Sequence, residues 1–283
     1  FLTETRYGEA ETLLDHLRRM AEALDLRPRT VEIEMGPSQF EFTFDPSAPM
    51  DQADRFMLFR TMVKEVCYAR GLHASFMAKP KQVNAAANGW HIHQSVLDLE
   101  TGANALMPDR AGCLTKTAGH WIAGLLENAA ASCLMTTPTI NGYKRFLPHQ
   151  LAPNSIQWGT DNRGAMVRAL LYPGDSASRV ENRVADSSAN PYYALAAQIL
   201  SGLDGITREL QAPPASENPY AGTAPALPPS LITAIEAFEA SPLFPAALGG
   251  EFVRYLSHIK RSEWDRYLMT VSEWEQAEYF NLF

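Results

Sequence analysis

Glu34 and Glu41 flank a short turn in the run Glu34-Met35-Gly36-Pro37-Ser38-Gln39-Phe40-Glu41. If Pro37-Ser38 is the turn of a hairpin, Glu34 falls opposite Glu41, Met35 opposite Phe40 and Ile33 opposite Phe42, so the apolar partners match. Two carboxylates held side by side repel unless a cation sits between them. The plainer alternative is a solvated polar face that binds nothing. Proline in the first turn position suits the tightest hairpins poorly, so this register is provisional. Further on, His91-Ile92-His93 would turn both imidazoles to one face of a strand, which suits a metal or a phosphate, although an isolated pair of this kind is more often structural. Arg179-Val180-Glu181-Asn182-Arg183 in extended form presents Arg, Glu and Arg on one face. Surface salt bridging would explain that pattern, but Arg145, Arg163 and Arg168 precede it closely, and such a guanidinium cluster suits a polyanion such as a triphosphate. No Walker A sequence is present, so a nucleotide would be held by arginines and metals rather than by a glycine-rich cradle.

These residues need a scaffold. The 283 residues are 46% hydrophobic and 20% charged, which is ordinary globular usage with enough chain for a sizeable core. A net charge of −8 argues against nucleic acid as a partner, and no apolar run is long enough to span a membrane. Cys67, Cys113 and Cys133 show neither a disulfide framework nor zinc spacing, and a cytoplasmic protein is expected. Apolar periodicity predicts helices near 10–25, 51–70 and 113–135. Strict alternation predicts strands at Val31–Met35 and Gln39–Phe44, and residues 72–96 read as short strands. Asn190-Pro191 opens a helix with a capping residue and a first-turn proline, and Gly71 stands where a helix C-cap belongs. Residues 141–183 are turn-rich and basic, and 212–230 hold six prolines in a loop before helices resume.

In order along the chain, several of these segments resemble the catalytic domain of glutamine synthetases. The Glu34–Glu41 run is followed by Phe76-Met77-Ala78-Lys79-Pro80 and Gly89-Trp90-His91-Ile92-His93-Gln94-Ser95. Asn141-Gly142-Tyr143-Lys144-Arg145-Phe146, Trp158-Gly159, Asp161-Asn162-Arg163, the Arg179–Arg183 run and Ala189-Asn190-Pro191-Tyr192-Tyr193 complete the series. The resemblance implies an α+β fold in which helices flank a curved antiparallel sheet, a half-barrel lined by metal and phosphate residues. It implies one catalytic domain over 1–283, and an ATP-dependent ligase that phosphorylates the γ-carboxylate of glutamate before an amine displaces the phosphate. Glu34 and Glu41 would hold one divalent metal, Mg²⁺ or Mn²⁺, and His91 with Glu181 the second. His93 and Ser95 would contact ATP, and Arg163, Arg168 and Arg179 its phosphates. Arg145 would grip the α-carboxylate of glutamate and Arg183 its reacting end.

The chain departs from the family pattern in three places. The amino-terminal β-grasp domain and the opening catalytic strand, whose E-x-E pair supplies one ligand to each metal, have no counterpart in these residues. A complete site is therefore expected to draw on residues outside them, and the family implies a ring-type homo-oligomer with active sites at subunit interfaces. The asparagine-glycine pair of the glutamate loop is replaced within Ala85-Ala86-Ala87-Asn88-Gly89. The flap glutamate that serves ammonium is Leu151, in Gln150-Leu151-Ala152-Pro153. Leucine can neither bind a cation nor accept a proton, but it offers surface to a bulky apolar amine. The expectation is thus a γ-glutamyl-amide ligase using an aromatic amine of the aniline type. Ordinary glutamine synthetase and a non-catalytic structural homologue are the alternatives.

Overall fold

The computed structural model describes residues 2–147, 152–222 and 224–283. The leucine stripe of the first helix forms α1 (Glu4–Ala23), which begins well before the apolar stripe and buries Leu14, Leu17 and Ala21. Next come β1 (Pro28–Ile33) and β2 (Phe40–Phe44), an antiparallel hairpin, and then α2 (Pro49–Tyr68). The α2 face that packs inward carries Phe59, Met62, Val63 and Cys67, whereas Met57 is exposed. Phe42 and Phe44 pack on Phe59 at centroid distances of 5.1 and 5.0 Å, closing a small core between hairpin and helices. Gly71, at φ +69°, ends the helix as expected, with Leu72 N–H donating to Cys67 O.

The hairpin register differs from the expected one by two residues: Ile33 pairs with Phe40, Glu32 with Glu41 and Val31 with Phe42. A tight turn at Pro37-Ser38 would need a positive φ that proline cannot adopt. The chain instead makes a four-residue loop, with Ser38 at φ +55° and Glu34 N–H donating to Gln39 O at 2.9 Å. An even shift preserves the faces, so Glu32, Glu34 and Glu41 all lie on one side.

Residues 72–96 are not a series of strands. Only β3 (Ile92–Gln94) forms, and the rest is irregular chain pinned by side chains. Asn141 exchanges both amide hydrogen bonds with the backbone of Lys79, and Asn88 donates to Met77 O. The helix expected over 113–135 is two, α3 (Lys116–Glu127) and α4 (Ala129–Thr136), broken at Asn128, whose amide turns to Gly124 O and the Asp204 carboxylate. A turn of 3-10 helix at Gly142–Arg145 leads to β4 (Trp158–Thr160), β5 (Val167–Leu170) and β6 (Arg179–Asn182). The helix α5 (Pro191–Thr207) starts at Asn190, which accepts from Tyr192 and Tyr193 N–H as a cap. Helices α6 (Leu231–Ala240), α7 (Leu243–Leu248), α8 (Gly250–Leu268) and α9 (Glu273–Tyr279) complete the chain.

The expected α+β class holds, with its curved sheet drawn as two pieces: the hairpin, and a sheet of order β3-β6-β5-β4. The ladders are antiparallel except β4/β5, which is parallel. The outer edge of β4 is covered by the proline-rich loop, whose Ser216 N–H donates to Trp158 O and whose Pro213 and Pro219 carbonyls accept from Trp158 Nε1 and Gln157 Nε2. Behind the larger sheet, α3 crosses α5 so closely that a Cβ on Gly205 would lie 2.0 Å from His120 O. This contact anchors the main core of Trp121, Ile122, Leu125, Leu134, Met135 and Phe238. Among the described residues, no helix is long and apolar enough to cross a membrane.

Candidate active site

The pleat of the larger sheet sorts its side chains. On β6, Val180 is fully buried toward the core and Asn182 donates to Gln198 Oε1, which leaves Arg179 and Glu181 for the opposite face. The register then sets His93, Glu181 and Arg168 in one row across β3, β6 and β5. Trp90 is stacked on Phe56 of α2 at 4.2 Å, and its backbone N–H donates to Ala185 O, which fixes the chain just before the histidines.

Glu181 is the hub of this face and only 2% exposed. Arg183 Nη1 donates to its Oε1 at 2.6 Å, Arg168 Nη1 to its Oε2 at 3.1 Å, and His91 Nδ1 lies 3.3 Å from Oε1. Burial works to raise its pKa, but Arg183, His91, His93 and Arg168 outweigh it and keep the carboxylate ionised. Burial, reinforced by Arg183, drives His91 down to about 3, so its imidazole is neutral and fit to be a ligand. His93 is also lowered, by desolvation first and then by the arginines against the pull of Glu181. Its Nδ1 accepts from Arg179 Nε at 3.0 Å, which leaves the proton of the neutral ring on Nε2.

Across from this row stands the hairpin. Burial, then a hydrogen bond and repulsion from Glu34, then Glu32 and Glu181, raise Glu41 to about 7. Carboxyl groups this close must share a proton or a cation, and that donor set suits a hard divalent ion. Glu34 is further tied to Met35 N–H at 3.0 Å. Among the described residues, however, no group of three or more His, Cys, Asp and Glu side chains converges to hold a metal ion. The expected ligands are therefore placed as two pairs, Glu34 with Glu41 and His91 with Glu181, each short of a full coordination shell.

Arg145 is 2% exposed, with Nη1 donating to Val184 O at 2.8 Å. Burial lowers its pKa to about 10, with Asp186 opposing and Arg183 assisting the fall, so it is a cation at neutral pH. It and His91 meet at Gly89: a Cβ there would lie 3.0 Å from Arg145 Nη2 and 2.9 Å from His91 Nε2, so a side chain would force them apart. Arg163 is exposed on the turn after β4, where Gly164 N–H donates to the Asn162 side chain. Ser95 is exposed just beyond β3. Leu151 lies outside the described residues.

Several residues of this site were given no role by the sequence. Glu32 joins the carboxylate face, and its i,i+2 spacing from Glu34 was the available signal. Gln39 ties the hairpin to the alanine loop, its Nε2 donating to Ala87 O and Asn88 Oδ1 while its Oε1 accepts from Gly36 N–H. Asn88 is thereby committed to structure, and Lys79 Nζ donates to Ala85 O at 3.3 Å. Asp161 receives Arg168 and Tyr172, a contact with no signature in spacing.

The family described as glutamine synthetase, catalytic domain, matches residues 3–279. A gamma-glutamylanilide synthase of Acinetobacter sp is 38% identical over all of this chain and 59% of its own length. A glutamine synthetase of Thermus thermophilus is 38% identical over 87% of this chain and 56% of its own. In three dimensions the chain matches a GmaS–ADP complex with a TM-score of 0.89 at 30% identity, covering 99% of this chain and 66% of that one. The chain thus spans less than two thirds of the proteins it is similar to.

Proposed function

The chain belongs to the glutamine synthetase catalytic-domain family, and from that premise we propose that it carries the active-site face of an ATP-dependent ligase joining the γ-carboxylate of glutamate to an aromatic amine. The observation that carries this reading is the opposition of two unlike walls. A crowded carboxylate face at Glu32, Glu34 and Glu41 looks across at a Glu181 hub already surrounded by Arg168, Arg183 and His91. An electrostatic landscape of this kind matches metal-neutralised phosphoryl transfer, in which placement and charge do most of the work.

In this reading Arg145 takes the α-carboxylate of glutamate and Arg183 steadies its γ-carboxylate. Arg163, Arg168, Arg179, Ser95 and the Nε2–H of His93 receive the triphosphate of ATP. A γ-carboxylate oxygen bonds to the terminal phosphorus as the bond to ADP breaks. The amine nitrogen then adds to the acyl carbon, phosphate departs with the C–O bond pair, and the nitrogen releases a proton to water. Divalent ions such as Mg²⁺ or Mn²⁺, when bound by Glu34 with Glu41 and by His91 with Glu181, supply neutralisation of the phosphate charge. Two ligands per ion are too few, so the remaining donors come from outside the described residues, in keeping with a ring-type homo-oligomer whose sites form between subunits.

The choice of an aromatic amine rests on Leu151 and on the likeness to the gamma-glutamylanilide synthase. Arylamines are neutral at pH 7 and need no carboxylate to expose their lone pair. Mass spectrometry of products formed from ATP, glutamate and a panel of amines tests this reading. The expected result is γ-glutamylanilide in preference to glutamine; glutamine as the main product with ammonium and aniline in equal supply would refute the aromatic amine.

A further inference from the structure

Arg168 stands in the site row, held there by a residue to which the sequence assigned no role. Two N–H groups of its guanidinium, on Nε and Nη2, go to Asp161 Oδ1, the first at 2.8 Å, while Nη1 reaches Glu181 Oε2 at 3.1 Å. Asp161 Oδ2 in turn accepts from Tyr172 OH at 3.0 Å. Of the five N–H groups of an arginine, three are thus committed, leaving one on each terminal nitrogen.

Asp161 sits at φ +45°, in the left-handed region that non-glycine residues adopt at some cost. Its backbone is fixed there by N–H donation to Ala169 O at 2.9 Å, at the turn between β4 and β5. The Asp161 side chain is 47% exposed, and an ion pair in that setting adds little to stability. Backbone strain kept for so small a return points to placement of the partner rather than to folding.

We propose that Asp161, braced by Tyr172, is a positioning residue that holds Arg168 between Glu181 and the phosphates of the nucleotide. This rests on the ligase reading of the site. Without Asp161, the freed edge of Arg168 closes on Glu181, which already carries Arg183 and His91 on its other oxygen. The guanidinium is then lost to the phosphates.

Asp161→Asn separates charge from shape, because asparagine tolerates positive φ and keeps the side-chain volume. The measurements use the protein at its full natural length: MgATP affinity by calorimetry, and steady-state turnover with saturating ATP, glutamate and aniline. Asp161→Asn is expected to lower kcat by about 10- to 100-fold, as misplacement of a phosphate-binding group does. It should also weaken MgATP binding, with Tyr172→Phe acting in the same direction by less. In an Arg168→Ala background the further change Asp161→Asn should have no effect, which a merely structural role would not produce. Near-normal kcat and affinity in Asp161→Asn, or an undiminished loss in the Arg168→Ala background, overturns the proposal. So does unaltered MgATP binding by Arg168→Ala. A wild-type protein that makes no product refutes the ligase reading instead, and the coupling of Asp161 to Arg168 in MgATP affinity then still decides this one.

Discussion

Glu41 titrates near pH 7 in the folded chain, against 4.5 for an unperturbed glutamate, because burial and neighbouring carboxylates penalise its charge. A group raised in this way adds stability below its unfolded pKa and loses that contribution as pH rises through the folded value. Without divalent metal, wild type should therefore melt progressively lower than Glu41→Gln as pH is raised from about 4.5 to beyond 7. Added Mg²⁺ should raise the melting temperature of wild type at pH 8 more than that of the variant. Parallel pH profiles for the two would show that Glu41 is not under this strain. Glu181 presents the opposite case, a carboxylate kept ionised by its cations. Glu181→Ala strands Arg168 and Arg183 and should cost at least ~10²- to 10³-fold in phosphoryl transfer, read as glutamate-dependent ADP release. Near-normal turnover would remove Glu181 from the metal assignment. Leu151→Glu should depress aniline turnover, since a carboxylate must then be desolvated against an aromatic ring. Steady-state rates for both proteins check this, and unchanged aniline use would detach Leu151 from the amine.

At the scale of elements, the site depends on how tightly the helices hold the sheet. Gly205→Ala would drive a methyl into His120 O across the α3/α5 crossing, and should cost about 1–3 kcal/mol in denaturant unfolding. A wild-type midpoint would mean that the helices separate more freely than their packing indicates. Helices with strong apolar periodicity or a capping signal were legible in the sequence: Asn190-Pro191 opens α5 where expected. The hairpin was legible in its faces but not in its register, because period-two alternation is blind to a shift of two and the loop decides instead. Residues 72–91 do not form the expected strands because side chains, Asn141 and Ser187 from elsewhere in the chain and Asn88 from within the segment, do the work of a ladder there. The break at Asn128 is likewise made by tertiary contact with Asp204 rather than by a local stop signal. Motif residues carried the site because their order is specific; the roles of Asp161, Tyr172 and Gln39 were not legible, even where a motif contained the residue, since they come from partners brought close only by folding.

For the molecule as a whole, a net charge of −8 coexists with an arginine-lined sheet face, so the anionic substrates proposed for it would meet locally basic ground on an acidic protein. The chain spans 59% of the gamma-glutamylanilide synthase it resembles, and among its described residues no three His, Cys, Asp or Glu side chains converge to hold a metal ion. On the proposed reading, the glutamate γ-carboxylate itself attacks ATP to form an acyl phosphate. Glutamate carrying ¹⁸O in its γ-carboxylate, incubated with ATP, Mg²⁺ and aniline, tests it most directly. An acyl-phosphate route breaks the bond between carbon and the transferred oxygen, so one ¹⁸O should appear in each inorganic phosphate released, in step with γ-glutamylanilide formed. Amide product accompanied by unlabelled phosphate would contradict the account.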